Sequence, residues 1–342
     1  MAPLTLPAGL DLPSFQAARA RLARSLVVTP VVRLRGGLVP PGPGDVARGI
    51  PEAPSGDPRI AGRALLLKLE SLQTSGSFKA RGAVNKVLSL DPALAKRGVV
   101  TASGGNHGLA VAYAGRVLDV PTTVYLPSRT AASKAERIER WGATVVRAGD
   151  VWDEAHAAAL AYAERSGLAY VHPFADPAVV AGQGTIALEV LEQAPEVDLF
   201  VVAIGGGGLA SGVAAAAKLV NPAIRIVGVE PTGAPTLFES LRANAVIELP
   251  EVKTAAGTLA PRKSDALNVA ILRETLEEIV LVSDDEMRDA ARFLLTEIGI
   301  GAELSGAAAL AAVLAGRVRL EGAKHPCVLV CGAGSDALPV PG

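Results

Sequence analysis

DLFVVAIGGGGLASGVAAAAKLV, residues 198–220, runs an apolar stretch into four adjacent glycines and then into an alanine-rich stretch. The first part is short, bulky and without alternation, as in a strand covered on both faces, and the last part is a strong helix former. Strand, glycine turn and helix make half of a βαβ unit, and the same alternation extends in both directions. Upstream lie ALLLKLE (64–70), FKARGAVNKVLSL (78–90), GVVTAS (98–103), NHGLAVAYAGRVL (106–118) and TTVYLP (122–127). ASKAERIERW (132–141), ATVVRA (143–148) and VWDEAHAAALAYAERS (151–166) continue the pattern, and IRIVGVE (224–230) and HPCVLVC (325–331) read as later buried strands. Repeats of this length predict parallel strands joined by helical crossovers, hence an α/β fold. Aromatic residues are 4% of the chain, so the core must be aliphatic.

The chain has 342 residues, enough for about two domains at roughly 150 residues each. Pro92 and Gly98 mark one entry, and HPFADP (172–177) a second, so a subdomain of about 80 residues is expected between them. The first 64 residues are the least patterned, with LVPPGPGD and GIPEAPSGDPRIAG reading as loops. Apolar residues at 50% and charged residues at 20% exclude disorder. With 33 basic and 34 acidic residues, the net charge of -1 gives no attraction for nucleic acid or an anionic membrane. No basic leader precedes an apolar run and no segment reaches the ~18 apolar residues of a membrane span, so a cytoplasmic address is expected. Cys327 and Cys331 share one strand-like run about 13 Å apart, too far for a disulfide.

Three loops carry chemistry. Gly205, Gly206, Gly207 and Gly208 stand at a strand-to-helix turn, where backbone amides approach an anion and a helix N-terminus favours it. Read loosely, Gly205, Gly207 and Ala210 also match a dinucleotide fingerprint, with Glu230 placed as a ribose-binding acid, so an NAD-dependent oxidoreductase competes on these residues. In SGSFKARGA (75–83), Ser75, Gly76 and Ser77 are expected to form a capping turn that fixes Lys79 near a strand end. A lysine held there can form a Schiff base with a carbonyl cofactor. In TASGGNHGLA (101–110), backbone amides with Ser103 and Asn106 suit a carboxylate or phenolic oxygen, though a glycine-assisted turn capped by Asn106 explains them equally. His107, one residue into the predicted helix, reads as an orienting group. The four histidines fall in no zinc pattern, no nucleophile elbow occurs, and SDDEMRD (283–289) reads as a helix start with favourable carboxylates.

The combination resembles the fold type II pyridoxal phosphate enzymes, in the group of serine/threonine dehydratases (threonine ammonia-lyases) and serine racemases. The resemblance rests on SGSFKARGA, SGGNHG (103–108), VHPFADPAVVAGQGTIALEVL (171–191), GGGGL (205–209), GVEP (228–231) and CGAGSD (331–336), in order over about residues 65–336. It implies two open, twisted, mostly parallel sheets flanked by helices, with residues 1–93 and 176–342 forming a large cofactor domain and 94–175 a small mobile one. It implies pyridoxal 5'-phosphate as cofactor and a homodimer, with Lys79 as the Schiff-base lysine and catalytic base. Asn106 would bond the phenolic oxygen, Gly205–Leu209 the phosphate, and Cys331 the pyridine nitrogen. Ser103, Gly104, Asn106 and His107 would hold the substrate carboxylate. The implied reaction is β-elimination from L-threonine or L-serine to a 2-oxo acid and ammonia. Serine racemase, 3-hydroxyaspartate dehydratase and threonine synthase remain alternatives within the class.

The departures from that pattern narrow the choice. Gly104 stands where racemases of the group place a serine acid, and Phe174 fits the dehydratases, so dehydration is expected. Thr236 replaces an acid of the group's divalent-cation site, leaving Glu230 and the Ala234 carbonyl, and no metal ligand is assigned. Leu109 replaces a glutamine of nucleotide-activated racemases, and with six residues after CGAGSD a regulatory domain is not expected.

Overall fold

The computed structural model describes residues 4–34 and 65–334. The proline-rich stretch 36–62 and the Ser335–Asp336 end of CGAGSD lie outside the described residues. Ten strands are present among the described residues: β1 (Val31–Leu34), β2 (Leu65–Leu69), β3 (Val99–Ala102), β4 (Thr122–Leu126), β5 (Thr144–Arg147), β6 (Ala169–Tyr170), β7 (Leu199–Ala203), β8 (Arg225–Pro231), β9 (Glu278–Val282) and β10 (Pro326–Val330).

They form two sheets. One has the order β1-β2-β10-β7-β8-β9, parallel except for β1 on β2, and the other has the all-parallel order β5-β4-β3-β6. The fold is α/β with two mostly parallel sheets flanked by helices. Strands β2, β7 and β10 are buried along their whole length, as expected where helices cover both faces. Their carboxyl ends leave the sheet on the same edge, since β10 pairs in parallel with β2 on one side and β7 on the other. Chain continuing from those ends supplies residues 70–79, 205–208 and 331–334, which is where open α/β sheets gather ligands.

The start of the chain is better ordered than its sequence pattern suggests. Helix Leu12–Leu22 begins with Asp11 accepting from the Ser14 amide at 2.9 Å and with Pro13 in its first turn, and it buries Phe15, Ala18 and Leu22. Proline there suits a helix start, because that turn lacks an intrahelical acceptor for its amide.

The helix Lys79–Leu88 links the two sheets. Its Ala80, Ala83, Val84 and Val87 share one apolar cluster with Val99 of β3 and with Ala110, Val111 and Ala114 of helix Asn106–Leu118. Among the described residues no helix is long and apolar enough to cross a membrane. Cys327 and Cys331 are both free and buried.

Candidate active site

Lys79 is the first residue of its helix, but the preceding serines do not cap it. The N-cap is Phe78, without a side-chain cap, and the buried hydroxyls of Ser75 and Ser77 have no partner among the described residues. Main-chain bonds hold the turn instead. The Phe78 amide donates to the Cys331 carbonyl at 3.1 Å, and the Ala333 amide to the Gly76 carbonyl at 2.8 Å. Ser75 sits at φ 66, a left-handed conformation that costs a residue with a Cβ about 1–2 kcal/mol. That strain is the cost of bending the chain back onto residues 331–333 before the helix begins.

The Lys79 ammonium donates to the Pro173 carbonyl at 2.7 Å. Burial lowers its pKa from 10.5 to about 8, against the opposing pull of Cys331 and Glu303. An amine tuned this way holds a usable neutral fraction near physiological pH.

Phe174 follows Pro173 and closes over the glycine run. Gly207 has φ 94 and serves as N-cap of helix Gly208–Val220. A Cβ at Gly208 would lie 2.8 Å from both the Cα and the carbonyl oxygen of Phe174. The Gly206 carbonyl accepts from Asn268 Nδ2 at 2.8 Å and Ser264 Oγ at 3.0 Å, which turns the next amide away from them. Among the described residues the amides of Gly205, Gly206, Gly207 and Gly208 donate to no protein acceptor. Neighbouring amides at a helix N-terminus without protein acceptors suit a phosphate. Leu209 is buried in the first turn behind them.

On the second sheet, β3 runs into residues 103–107. Ser103 Oγ accepts from the Gly105 amide at 3.2 Å, and Gly105, not Asn106, is the N-cap of helix Asn106–Leu118. Asn106 is therefore free of capping duty, and its Nδ2 donates to Glu303 Oε1 at 2.8 Å. His107 is buried, its Nε2 lies 3.0 Å from the Val171 carbonyl, and burial lowers its pKa to about 3, so it is a neutral ring that ties the loop to the residue after β6. Cys331 is buried with its Sγ 3.5 Å from the Ser305 carbonyl, and burial raises its pKa so that it stays a thiol.

These contacts join all three loops: Lys79 to Pro173, Phe174 to the glycine run, Phe78 to Cys331, and Asn106 through Glu303 to residues 331–332. Unpartnered amides, a lysine of lowered pKa, an amide donor and a neutral thiol together fit the phosphate, carbonyl, phenolic oxygen and ring nitrogen of pyridoxal phosphate.

The family model for pyridoxal-phosphate dependent enzymes matches residues 52–332. The chain belongs to this family. Pyridoxal phosphate is its cofactor. The chain is 40% identical over 277 residues to an L-threonine ammonia-lyase of Thermotoga maritima, covering 81% of this chain and 69% of that protein. The solved structure of maize serine racemase is similar with a TM-score of 0.85 at 32% identity, covering 95% of this chain and 94% of the other. The processed form of threonine deaminase isoform 2 from Solanum lycopersicum gives 0.80 at 30% identity, covering 98% and 94%.

The dinucleotide reading of the glycine run fails, because Glu230 is wholly buried and points inward. Its two carboxylate oxygens accept from the amides of Leu237 at 2.9 Å and Phe238 at 2.7 Å. The same contacts fit a cation site poorly: the carboxylate serves the helix Thr236–Ala243, and the Thr236 hydroxyl donates to the Pro261 carbonyl at 2.6 Å. Among the described residues no group of three or more His, Cys, Asp or Glu side chains could hold a metal.

Sequence reasoning missed Glu303, Thr258, Ser264 and Asn268. Glu303 precedes an apolar helix and Asn268 lies inside one, positions that carry no local signal of a site. One test of the glycine run follows from its packing. Gly208→Ala must displace the Phe174 backbone, and titrating the apoprotein with pyridoxal phosphate is expected to show affinity weaker by about tenfold to a hundredfold. Unchanged affinity would mean that this turn does not hold the phosphate.

Proposed function

We infer that the chain deaminates L-threonine, L-serine or both by β-elimination, giving a 2-oxo acid and ammonia. The observation that carries this reading is the Lys79 amine, lowered to about 8 and held at the Pro173 carbonyl between the glycine run and the Asn106 loop. Bound there, pyridoxal phosphate supplies an electron sink for charge at the substrate Cα. The amides of Gly205–Leu209 would hold its phosphate, Asn106 would donate to its phenolic oxygen, and Cys331 would face its ring nitrogen as a neutral thiol. The Ser103–His107 loop, with Gly104 and Asn106 in it, binds the substrate carboxylate. Neutral Lys79 then takes the α-proton, the Cβ–O bond breaks, and the β-hydroxyl leaves as water with a proton from solvent, to which Lys79 returns its own.

Elimination is favoured over racemisation by the packing at Gly104. Gly104 has no side chain, so no acid extends from position 104 on that face, and a Cβ there would lie 2.9 Å from Thr130 Cγ2. The unit 94–175 carries the Ser103–His107 loop and moves against the rest of the chain as substrate binds. The enzyme works as a cytoplasmic homodimer, a state that sedimentation of the holoenzyme tests directly.

The deciding assay adds L-threonine or L-serine to the holoenzyme and follows 2-oxobutyrate or pyruvate together with ammonia. Keto acid formed in equal amount to ammonia supports the reading; D-amino acid in place of keto acid overturns it. A second test uses the lowered pKa of Lys79. Only the neutral amine attacks a carbonyl, so the rate at which apoprotein takes up pyridoxal phosphate is expected to rise with pH and level off above about pH 8. A rate that climbs on towards about pH 10 would mean that Lys79 has an ordinary lysine pKa.

A further inference from the structure

We propose that Glu303 is a positioning residue that fixes which face of the Asn106 amide the cofactor meets. An asparagine side chain has an oxygen that accepts and a nitrogen that donates, nearly equal in size, so its orientation follows from its neighbours. Glu303 Oε1 lies 2.8 Å from Asn106 Nδ2, and a carboxylate can only accept, so the NH2 group must face it. One N–H is used in that bond and the second is left to donate elsewhere. Flipped, Asn106 would offer its oxygen to the phenolic oxygen, one acceptor against another.

The surroundings hold the carboxylate at this spot. Glu303 is the N-cap of helix Leu304–Leu314, where negative charge is favoured, and its amide donates to the Gly332 carbonyl at 3.2 Å. A Cβ at Gly332 would lie 2.5 Å from Glu303 Oε1, so only glycine leaves the carboxylate this path to Asn106. The Thr258 hydroxyl lies 3.3 Å from the same Oε1 and also bonds Ser305, whose carbonyl takes the Cys331 thiol. One chain of contacts thus runs from Asn106 through Glu303, Thr258 and Ser305 to Cys331, spanning the two ends assigned to the cofactor ring.

This inference rests on the reading of Asn106 as a cofactor contact, and the experiment separates the two. Wild type, Asn106→Ala, Glu303→Gln and the double variant are titrated with pyridoxal phosphate, reading the dissociation constant and the wavelength of the visible band. Glu303→Gln keeps the shape but can present a donor, and it is expected to weaken binding about tenfold and move the band in the same direction as Asn106→Ala. The double variant should match Asn106→Ala alone. Additive losses overturn the role of Glu303, because it would then act without Asn106. An Asn106→Ala protein with unchanged band and affinity overturns the Asn106 reading itself, and this inference with it. If Glu303→Gln gives no folded protein, Glu303→Asp, which withdraws the carboxylate by one methylene, takes its place with the same expectations.

Discussion

Alanine at position 79 is expected to lower L-threonine turnover by about 10^4-fold or more while the protein keeps its fold. The fold survives because Lys79 opens a helix, alanine is the best helix former, and the only hydrogen bond of the ammonium among the described residues is to the Pro173 carbonyl. Activity is lost because the neutral amine goes with the side chain, and Lys68, buried in an ion pair with Glu189 at 2.8 Å, is not free to replace it. Lys79→Arg separates two roles. It keeps a positive charge but cannot shed a proton near neutral pH, so it should be as inactive as the alanine variant if the neutral amine does the work. Keto-acid assays with both variants, beside a thermal melt to verify folding, check this. Turnover in Lys79→Ala above about a hundredth of the parent rate would remove Lys79 from the reaction.

The loops were legible in the sequence because each follows a strand and opens a helix, so local pattern alone places GGGGL, SGSFKARGA and SGGNHG at strand ends. The contacts that organise those loops were not legible. Asn106 meets Glu303 across 197 positions, and Lys79 reaches Pro173 across 94, distances over which no periodicity carries information. The serines before Lys79 misled for a related reason. Their capping chemistry is real in isolation, but here the 331–333 segment supplies main-chain partners and leaves the hydroxyls unused. Helix Leu12–Leu22 lay in the part read as unpatterned, although its three buried residues, Phe15, Ala18 and Leu22, stand at helical i, i+3, i+7 spacing. Lys68 was hidden inside an apolar strand run, ALLLKLE, where a charged residue signals either an error or a buried partner.

That buried partner leads to the largest stability effect. Arg81 is 1% exposed, and its guanidinium meets Glu70 through Nε and Nη2, both at 2.7 Å. It also meets Glu189 through Nη1 at 2.7 Å and Nη2 at 2.8 Å, and Lys68 Nζ bonds Glu189 at 2.8 Å. Two cations and two carboxylates balance, two residues along the helix from Lys79. Burial alone would raise the Glu189 pKa, yet Arg81 and Lys68 outweigh it and hold the carboxyl below its ordinary value. Its contribution is therefore present above the unfolded carboxylate pKa and fades as acid protonates the group. Arg81→Met leaves Glu70 unpaired and Glu189 with only Lys68, an outcome expected to cost about 3–5 kcal/mol in denaturant unfolding at neutral pH. Lowering the pH should narrow the gap from wild type, because wild type itself loses the Glu189 contribution as acid protonates that carboxyl. Adding Glu70→Gln to Arg81→Met removes the stranded charge and leaves Glu189 with Lys68 as a balanced pair. The double variant should then recover much of the loss, since replacing a buried pair costs less than breaking it. A double variant less stable than Arg81→Met would mean that shape and hydrogen bonding, not charge balance, hold the helix that carries Lys79.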